Sequence, residues 1–168
     1  MRHSLLPAAL LPVLLAACGG GGSPTTPPPG TGQGSALTTR LGACAVVNQS
    51  ADPAASSCLT GAYTGKTLSG AECSLTVRAD GGYDYVSPTL TYTFTATAQA
   101  TRVFGHNSIE GSHQVIWLIN DPMTANEPKE LNFEARWGAN IAAPKLEIEA
   151  MKHLNGGGSV SSTCNVPL

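Results

Sequence analysis

An almost unbroken alternation of apolar and polar residues most limits what this chain can fold into. The alternation runs through residues 89–97 and returns at residues 131–137 and 145–150. Successive side chains of a β-strand point to opposite faces, so this pattern indicates strands with one buried and one solvated face. No segment has a convincing helical pattern of apolar residues, and the sequence therefore predicts an all-β fold. The residues expected to face the core are Leu90, Tyr92, Phe94, Phe133, Trp137, Leu146 and Ile148.

Turn signals divide the folded part of the chain into short strands. Asp80-Gly81-Gly82 and residues 110–112 each separate two apolar-polar segments, which is a strong hairpin signal. Short strands at intervals of roughly ten residues favour one antiparallel β-sandwich or small β-barrel, and the pattern leaves both open. About eight strands are expected, at residues 73–78, 83–86, 89–97, 101–109, 113–119, 131–137, 145–150 and 159–165.

One predicted strand departs from the alternation. Residues 115–119, Val-Ile-Trp-Leu-Ile, are apolar on both faces. Either residues 36–60 or a loop covers the outer face of this strand, or that face is a docking patch.

The N-terminus has the layout of an export signal. Arg2 precedes a thirteen-residue apolar run from Leu5 to Ala17, which is too short to span a bilayer. The run ends in Leu15-Ala16-Ala17-Cys18, which resembles the lipobox of bacterial lipoproteins. The resemblance implies a signal peptide at residues 1–17, cleavage after Ala17, and attachment of lipid to Cys18.

The residues after Cys18 predict a tether and a location. Gly19 stands where an aspartate would retain such a lipoprotein in the inner membrane, so the resemblance implies an outer-membrane anchor, facing the periplasm or the surface. Residues 18–35 are rich in glycine and proline and contain nothing that can be buried, which predicts a flexible linker. The β-rich domain is then expected at residues 36–168.

Four further cysteines lie in this domain. An exported chain reaches an oxidising compartment, so an even number of cysteines predicts two disulfides. Three pairings are possible, and we favour Cys44–Cys58 and Cys73–Cys164. The first would close a segment with little apolar content, and the second would tie an early core strand to the C-terminus.

The sequence offers no reactive constellation. His106, His113 and His153 lack the spacing of metal ligands and are expected at the surface or half-buried. The outward glutamates at 134, 147 and 149 fit a solvated face. The formal net charge is −2, which gives no basic footprint for nucleic acid. We therefore expect no catalytic residue, no metal site, no cofactor and no nucleic-acid partner.

Three functions remain after these exclusions. The first is a membrane-tethered envelope lipoprotein whose β-domain is a non-enzymatic binding or structural module, with a protein or small-ligand partner that the sequence does not identify. The second is an inhibitor of an envelope-attacking enzyme, similar in architecture and anchor to the lysozyme-inhibitor lipoproteins. The third is an envelope hydrolase.

Overall fold

The computed structural model describes residues 31–44, 47–50 and 53–168. These residues form one α-helix, α1 (Thr31–Gly42), a 3-10 helix at Pro53–Leu59, and ten strands. The strands are β1 (Val47–Ser50), β2 (Gly61–Thr67), β3 (Glu72–Val77), β4 (Tyr83–Val86), β5 (Thr91–Phe94), β6 (Thr101–Ile109), β7 (Ser112–Asn120), β8 (Lys129–Gly138), β9 (Lys145–His153) and β10 (Ser159–Val166).

All ten strands belong to one antiparallel sheet, in the order β1-β6-β7-β8-β9-β10-β2-β3-β4-β5. The all-β prediction is confirmed, and the eight expected strands correspond to β3–β10. The sequence analysis missed β1 and β2. The strand predicted at 89–97 is shorter than expected, because turns at Ser87–Leu90 and Thr97–Ala100 replace its two ends.

The sheet curls on itself into an open half-barrel. Tyr83 on β4 and Trp117 on β7 are six strands apart in the sheet, yet their rings lie 5.9 Å from each other, edge to face. Neighbouring strands are spaced about 4.8 Å apart, so a flat sheet would hold these rings roughly 29 Å apart. Tyr63 on β2 likewise meets Phe133 on β8, with ring centroids 5.1 Å apart. The concave side is therefore the core.

Every core residue predicted from the alternation is buried. The strands β8 and β9 alternate buried and more exposed residues along residues 131–137 and 145–150. Leu90, Tyr92 and Phe94 are buried, while Thr91 and Thr93 are exposed. Each buried side chain stabilises the fold by about 1.5–3 kcal/mol relative to an exposed one.

The backbones of β2 and β10 approach each other closely at Gly65. A Cβ atom on Gly65 would lie 2.1 Å from the carbonyl oxygen of Asn165, so only glycine permits this close backbone approach. Cys73 on β3 and Cys164 on β10 both neighbour β2, and their Cα atoms are 5.8 Å apart and joined by a disulfide. The predicted pairing of these two cysteines is confirmed.

Helix α1 was not predicted, and it begins at Thr31, inside the segment assigned to the linker. Its apolar face is short: Leu37 and Leu41, one turn apart, enter the core. The Arg40 guanidinium lies 4.4 Å from the centroid of the Tyr63 ring. A disulfide between Cys44 and Cys58 ties the end of the helix to the 3-10 helix, and it confirms the other predicted pairing.

Candidate functional site

The outer face of β7 is the part of the sheet that the sequence singled out, and the structure leaves it partly open. Val115, Trp117 and Ile119 are buried in the core, so Ile116 and Leu118 point outward, where both are half-buried. Helix α1 packs on the inner side of the sheet, through Leu37 and Leu41. Helix α1 therefore does not cover Ile116 and Leu118.

A groove lies beside Leu118, and the strand register explains how it forms. Two cross-strand rows line it, each with one residue from β7, β8 and β9. One row is Leu118, Asn132 and Glu149, and the other is Asn120, Glu130 and Met151. Opposed Cβ atoms in such rows are about 4.5–5.5 Å apart. We call this feature the outer groove.

The size of the outer groove limits its occupant. Its volume is about 270 Å³, and small-molecule pockets are typically about 300–1,000 Å³ and enclose most of the ligand. The outer groove is open along its length, because it lies on the solvent face of three strands. It is therefore better suited to the side chains of a partner protein than to a whole small molecule.

Apolar side chains form the centre of this face. Val103 on β6 is the cross-strand partner of Leu118, and both are half-buried on the outer side. Ile116 is opposite Gly105, which has no side chain to cover it. Met151, on the far wall of the groove, is also half-buried. A partner that covered these side chains would remove apolar surface from water, which favours association.

Carboxylates lie on one side of the apolar centre, on β8 and β9. Glu134 contacts Arg136 (Oε1 to Nε, 2.5 Å) and Lys145 (Oε2 to Nζ, 3.8 Å). Glu130 accepts a hydrogen bond from Nε2 of His153 at 3.0 Å.

Two further glutamates point outward from β9, as the alternation predicted. These are Glu147 and Glu149, which flank the buried Ile148. Within the described residues, neither has an ion pair. Glu147 is also the cross-strand partner of Glu134, and the two nearby basic side chains, Arg136 and Lys145, contact Glu134 instead of Glu147.

The inner side of the same strands supports the groove. Tyr92 donates a hydrogen bond from its hydroxyl to the carbonyl oxygen of Glu130, at 3.0 Å, and lies near the Tyr83 hydroxyl at 3.3 Å. Burial raises the pKa of both hydroxyls, and the negative charges of Asp121 and Glu130 raise them further. These hydroxyls therefore stay protonated and keep donating beneath the groove.

The histidines were expected at the surface or half-buried, and this is wrong for His106. Its side chain is only 1% exposed, and Nδ1 donates to the carbonyl oxygen of Cys44 at 2.8 Å. His113 stacks on Trp137 with ring centroids 5.0 Å apart, and His106 is 6.0 Å from His113. The described residues include no group of three or more metal-ligating side chains.

A second hollow, of about 240 Å³, lies beside the β6–β7 hairpin, and Ile109 and Ile141 are among the residues that line it. Its cationic group, Arg136, is already engaged by Glu134. The amide oxygen of Gln114 faces Arg136 and accepts hydrogen bonds from Nη2 at 2.9 Å and from Nε at 3.1 Å. This hollow therefore has no unused charged group with which to select a ligand.

The predicted lipid-attachment residue, Cys18, lies outside the described residues, as do the predicted signal peptide and most of the predicted linker. Among the residues that the structure does describe, no helix has both the length and the apolar character to cross a membrane. Comparison of the chain with family models, with curated protein sequences and with solved structures finds no significant match.

Sequence reasoning identified part of the outer groove. It singled out Leu118, through the apolar run at 115–119, and it placed Glu149 on an outward face. It missed Asn132 and Met151 in the groove, and Val103 next to it, because only the strand register brings them near Leu118. The sequence feature that could have indicated the groove is the polar outward residues of β8 and β9. By themselves, such residues indicate ordinary solvated strands.

Proposed function

We propose that this protein is a lipid-anchored lipoprotein of the bacterial outer membrane, and that its β-domain is a non-enzymatic module that binds another protein. The anchor rests on the sequence Leu15-Ala16-Ala17-Cys18. Lipid chains on one cysteine contribute about 0.8 kcal/mol for each buried methylene, and two or more chains make attachment lasting.

The observation that carries the binding role is the outer face of β7. Ile116 and Leu118 are half-buried apolar side chains on the solvent side of a sheet whose core is already complete. The solvated face of an antiparallel sheet usually carries polar residues, so apolar side chains at these two positions are unexpected. Their apolar character is explained if a partner covers them for part of the time.

Photo-crosslinking in cells tests this role. A photo-reactive amino acid at position 132, in the outer groove, should give an adduct of discrete mass on illumination of the full-length lipidated protein. The matched position is Thr76, which is exposed on β3 in the other half of the sheet. Equal adducts from both positions, or none from position 132, would contradict a docking role for this face.

Inhibition of an envelope-attacking enzyme is the second candidate, and a specific feature favours it. The segment between β7 and β8 continues directly from Asn120 in the groove and carries Met123, which is 72% exposed. An exposed apolar side chain beside a groove is suited to insertion into an enzyme cleft. Met123→Ser should then abolish inhibition of a peptidoglycan-cleaving enzyme in a turbidity assay, while Leu68→Ser, at a leucine that is 85% exposed, should not.

A further inference from the structure

The charges around the outer groove are unevenly compensated. Of the four glutamates on the outer face of β8 and β9, Glu130 and Glu134 contact basic side chains. Glu147 and Glu149 have no such contact within the described residues. Because Arg136 and Lys145 both engage Glu134, the end of the face that contains Leu118 and Met151 has negative charge in excess.

We infer that the outer groove docks a cationic segment of another protein, in which apolar side chains lie between lysines or arginines. This inference rests on the proposed binding function and adds the chemistry of the partner. The apolar part of the segment would cover Leu118 and Val103, and its basic side chains would meet Glu147 and Glu149. Complementary charge of this kind accelerates association and excludes wrong partners.

Other occupants fit this face less well. A second copy docked through the same face would bring two sets of these unpaired carboxylates into one interface, and like charges in one interface are unfavourable. The predicted linker at residues 18–35 contains no charged residue, so it could not compensate these carboxylates. Anionic ligands, nucleic acid included, would be repelled.

The docked segment of the partner would run across the strands, because the apolar side chains that it covers are spread over β6, β7 and β9. Val103 and Leu118 are direct cross-strand partners, and Met151 lies two strands farther along the sheet. With strands about 4.8 Å apart, this patch is roughly 14 Å wide. Two to three turns of an amphipathic helix, each about 5.4 Å long, would cover it.

A defined probe tests the charge requirement. The probe is a synthetic amphipathic helical peptide whose leucine stripe is flanked by lysines, and the control peptide has glutamates in place of the lysines. Binding to the full chain is measured by fluorescence anisotropy. The lysine peptide should bind saturably and weaken severalfold as salt rises from about 50 to 300 mM, because salt screens partly exposed charges. The glutamate peptide should not bind.

Charge variants locate the effect. Replacing both Glu147→Gln and Glu149→Gln should weaken binding about three- to tenfold, the size expected from two partly exposed ion pairs. The control is Glu72→Gln with Glu110→Gln, which changes the net charge equally at exposed positions away from the groove, and which also removes the contact between Glu72 and Lys66. The control pair should change the affinity less than about twofold. The variant Leu118→Ser should weaken binding without altering the salt dependence.

The outcomes separate the two proposals. If position 132 forms its adduct in cells but the Glu147/Glu149 variant binds the lysine peptide like the control pair, the cationic partner is wrong and the docking face stands. Absence of saturable binding by the lysine peptide at low salt also overturns the cationic partner. If the chain forms a dimer that Leu118→Ser disrupts, the occupant is a second copy instead.

Discussion

Alkaline pH should unfold this protein through its tyrosines, all four of which are buried. The Tyr63 hydroxyl donates to the carbonyl oxygen of Leu59 at 2.6 Å, and burial raises the pKa of Tyr63 to about 12. Burial also raises the pKa of Tyr83, Tyr85 and Tyr92 above the ordinary value. In the unfolded chain these hydroxyls titrate near pH 10.

The sign and size of the effect follow from proton linkage. Groups with a raised pKa in the folded state contribute stability that is fully present below about pH 10 and is lost as the pH rises toward the folded value. At about pH 11, each such tyrosine has lost about 1.4 kcal/mol. Tyr63, Tyr83 and Tyr92 together lose about 4 kcal/mol, a large part of the 5–15 kcal/mol that typically stabilises a domain.

Two measurements test this reasoning. Tyrosinate absorbance at 295 nm should stay flat through about pH 10.5 and then rise in one step together with the loss of near-ultraviolet circular dichroism. In urea titrations, the free energy of unfolding should fall by about 4 kcal/mol between pH 8 and 11, and by about 1.4 kcal/mol less in Tyr63→Phe. Ionisation of the hydroxyls near pH 10 with the dichroism unchanged would refute the argument.

Three further predictions concern the anchor, the first disulfide and the core. Cys18→Ser should abolish metabolic labelling with a fatty acid and release the protein from the membrane fraction; labelling that survives would exclude lipidation at this residue. Replacing Cys44 and Cys58 with alanine should lower the free energy of unfolding in urea by about 3 kcal/mol, since a loop of this length loses about that much closure entropy. Phe133→Ala should cost about 3–5 kcal/mol in the same assay and Glu149→Gln less than about 0.5; equal costs would contradict the assigned strand faces.

The sequence predicted the strands in which apolar and polar side chains alternate. It did not predict β2 or helix α1, in which this or a helical pattern is too weak to recognise. The observed ends of β8 and β9 are within three residues of the predicted ends, because each strand buries one face along its length. In β2, Gly61 and Gly65 replace inward side chains, so the alternation disappears although the strand pairs on both sides. Among residues 36–42 of helix α1, whose burial is described, only Leu37 and Leu41 are buried, too few for a recognisable helical stripe.

The outer groove could be predicted only in part, because it depends on register rather than on local pattern. An apolar run such as residues 115–119 reveals a strand with two apolar faces, and it does not reveal what lies beside that strand. Asn132 and Met151 enter the groove because β8 and β9 pair with β7 in one register. A shift of one residue would turn both away, since neighbouring residues on a strand face opposite sides.

The position of β10 in the sheet has a consequence for how the chain folds. The two meanders, β2–β5 and β6–β9, are joined into one sheet only by β10, which pairs with β9 on one side and β2 on the other. Of the ten described strands, β10 is thus the last along the chain and the one that completes the sheet. A chain that stops short of Ser159 would expose the unpaired edges of β9 and β2 together, and open edges of this kind recruit other strands. Truncated products should therefore aggregate rather than persist as partly folded monomers.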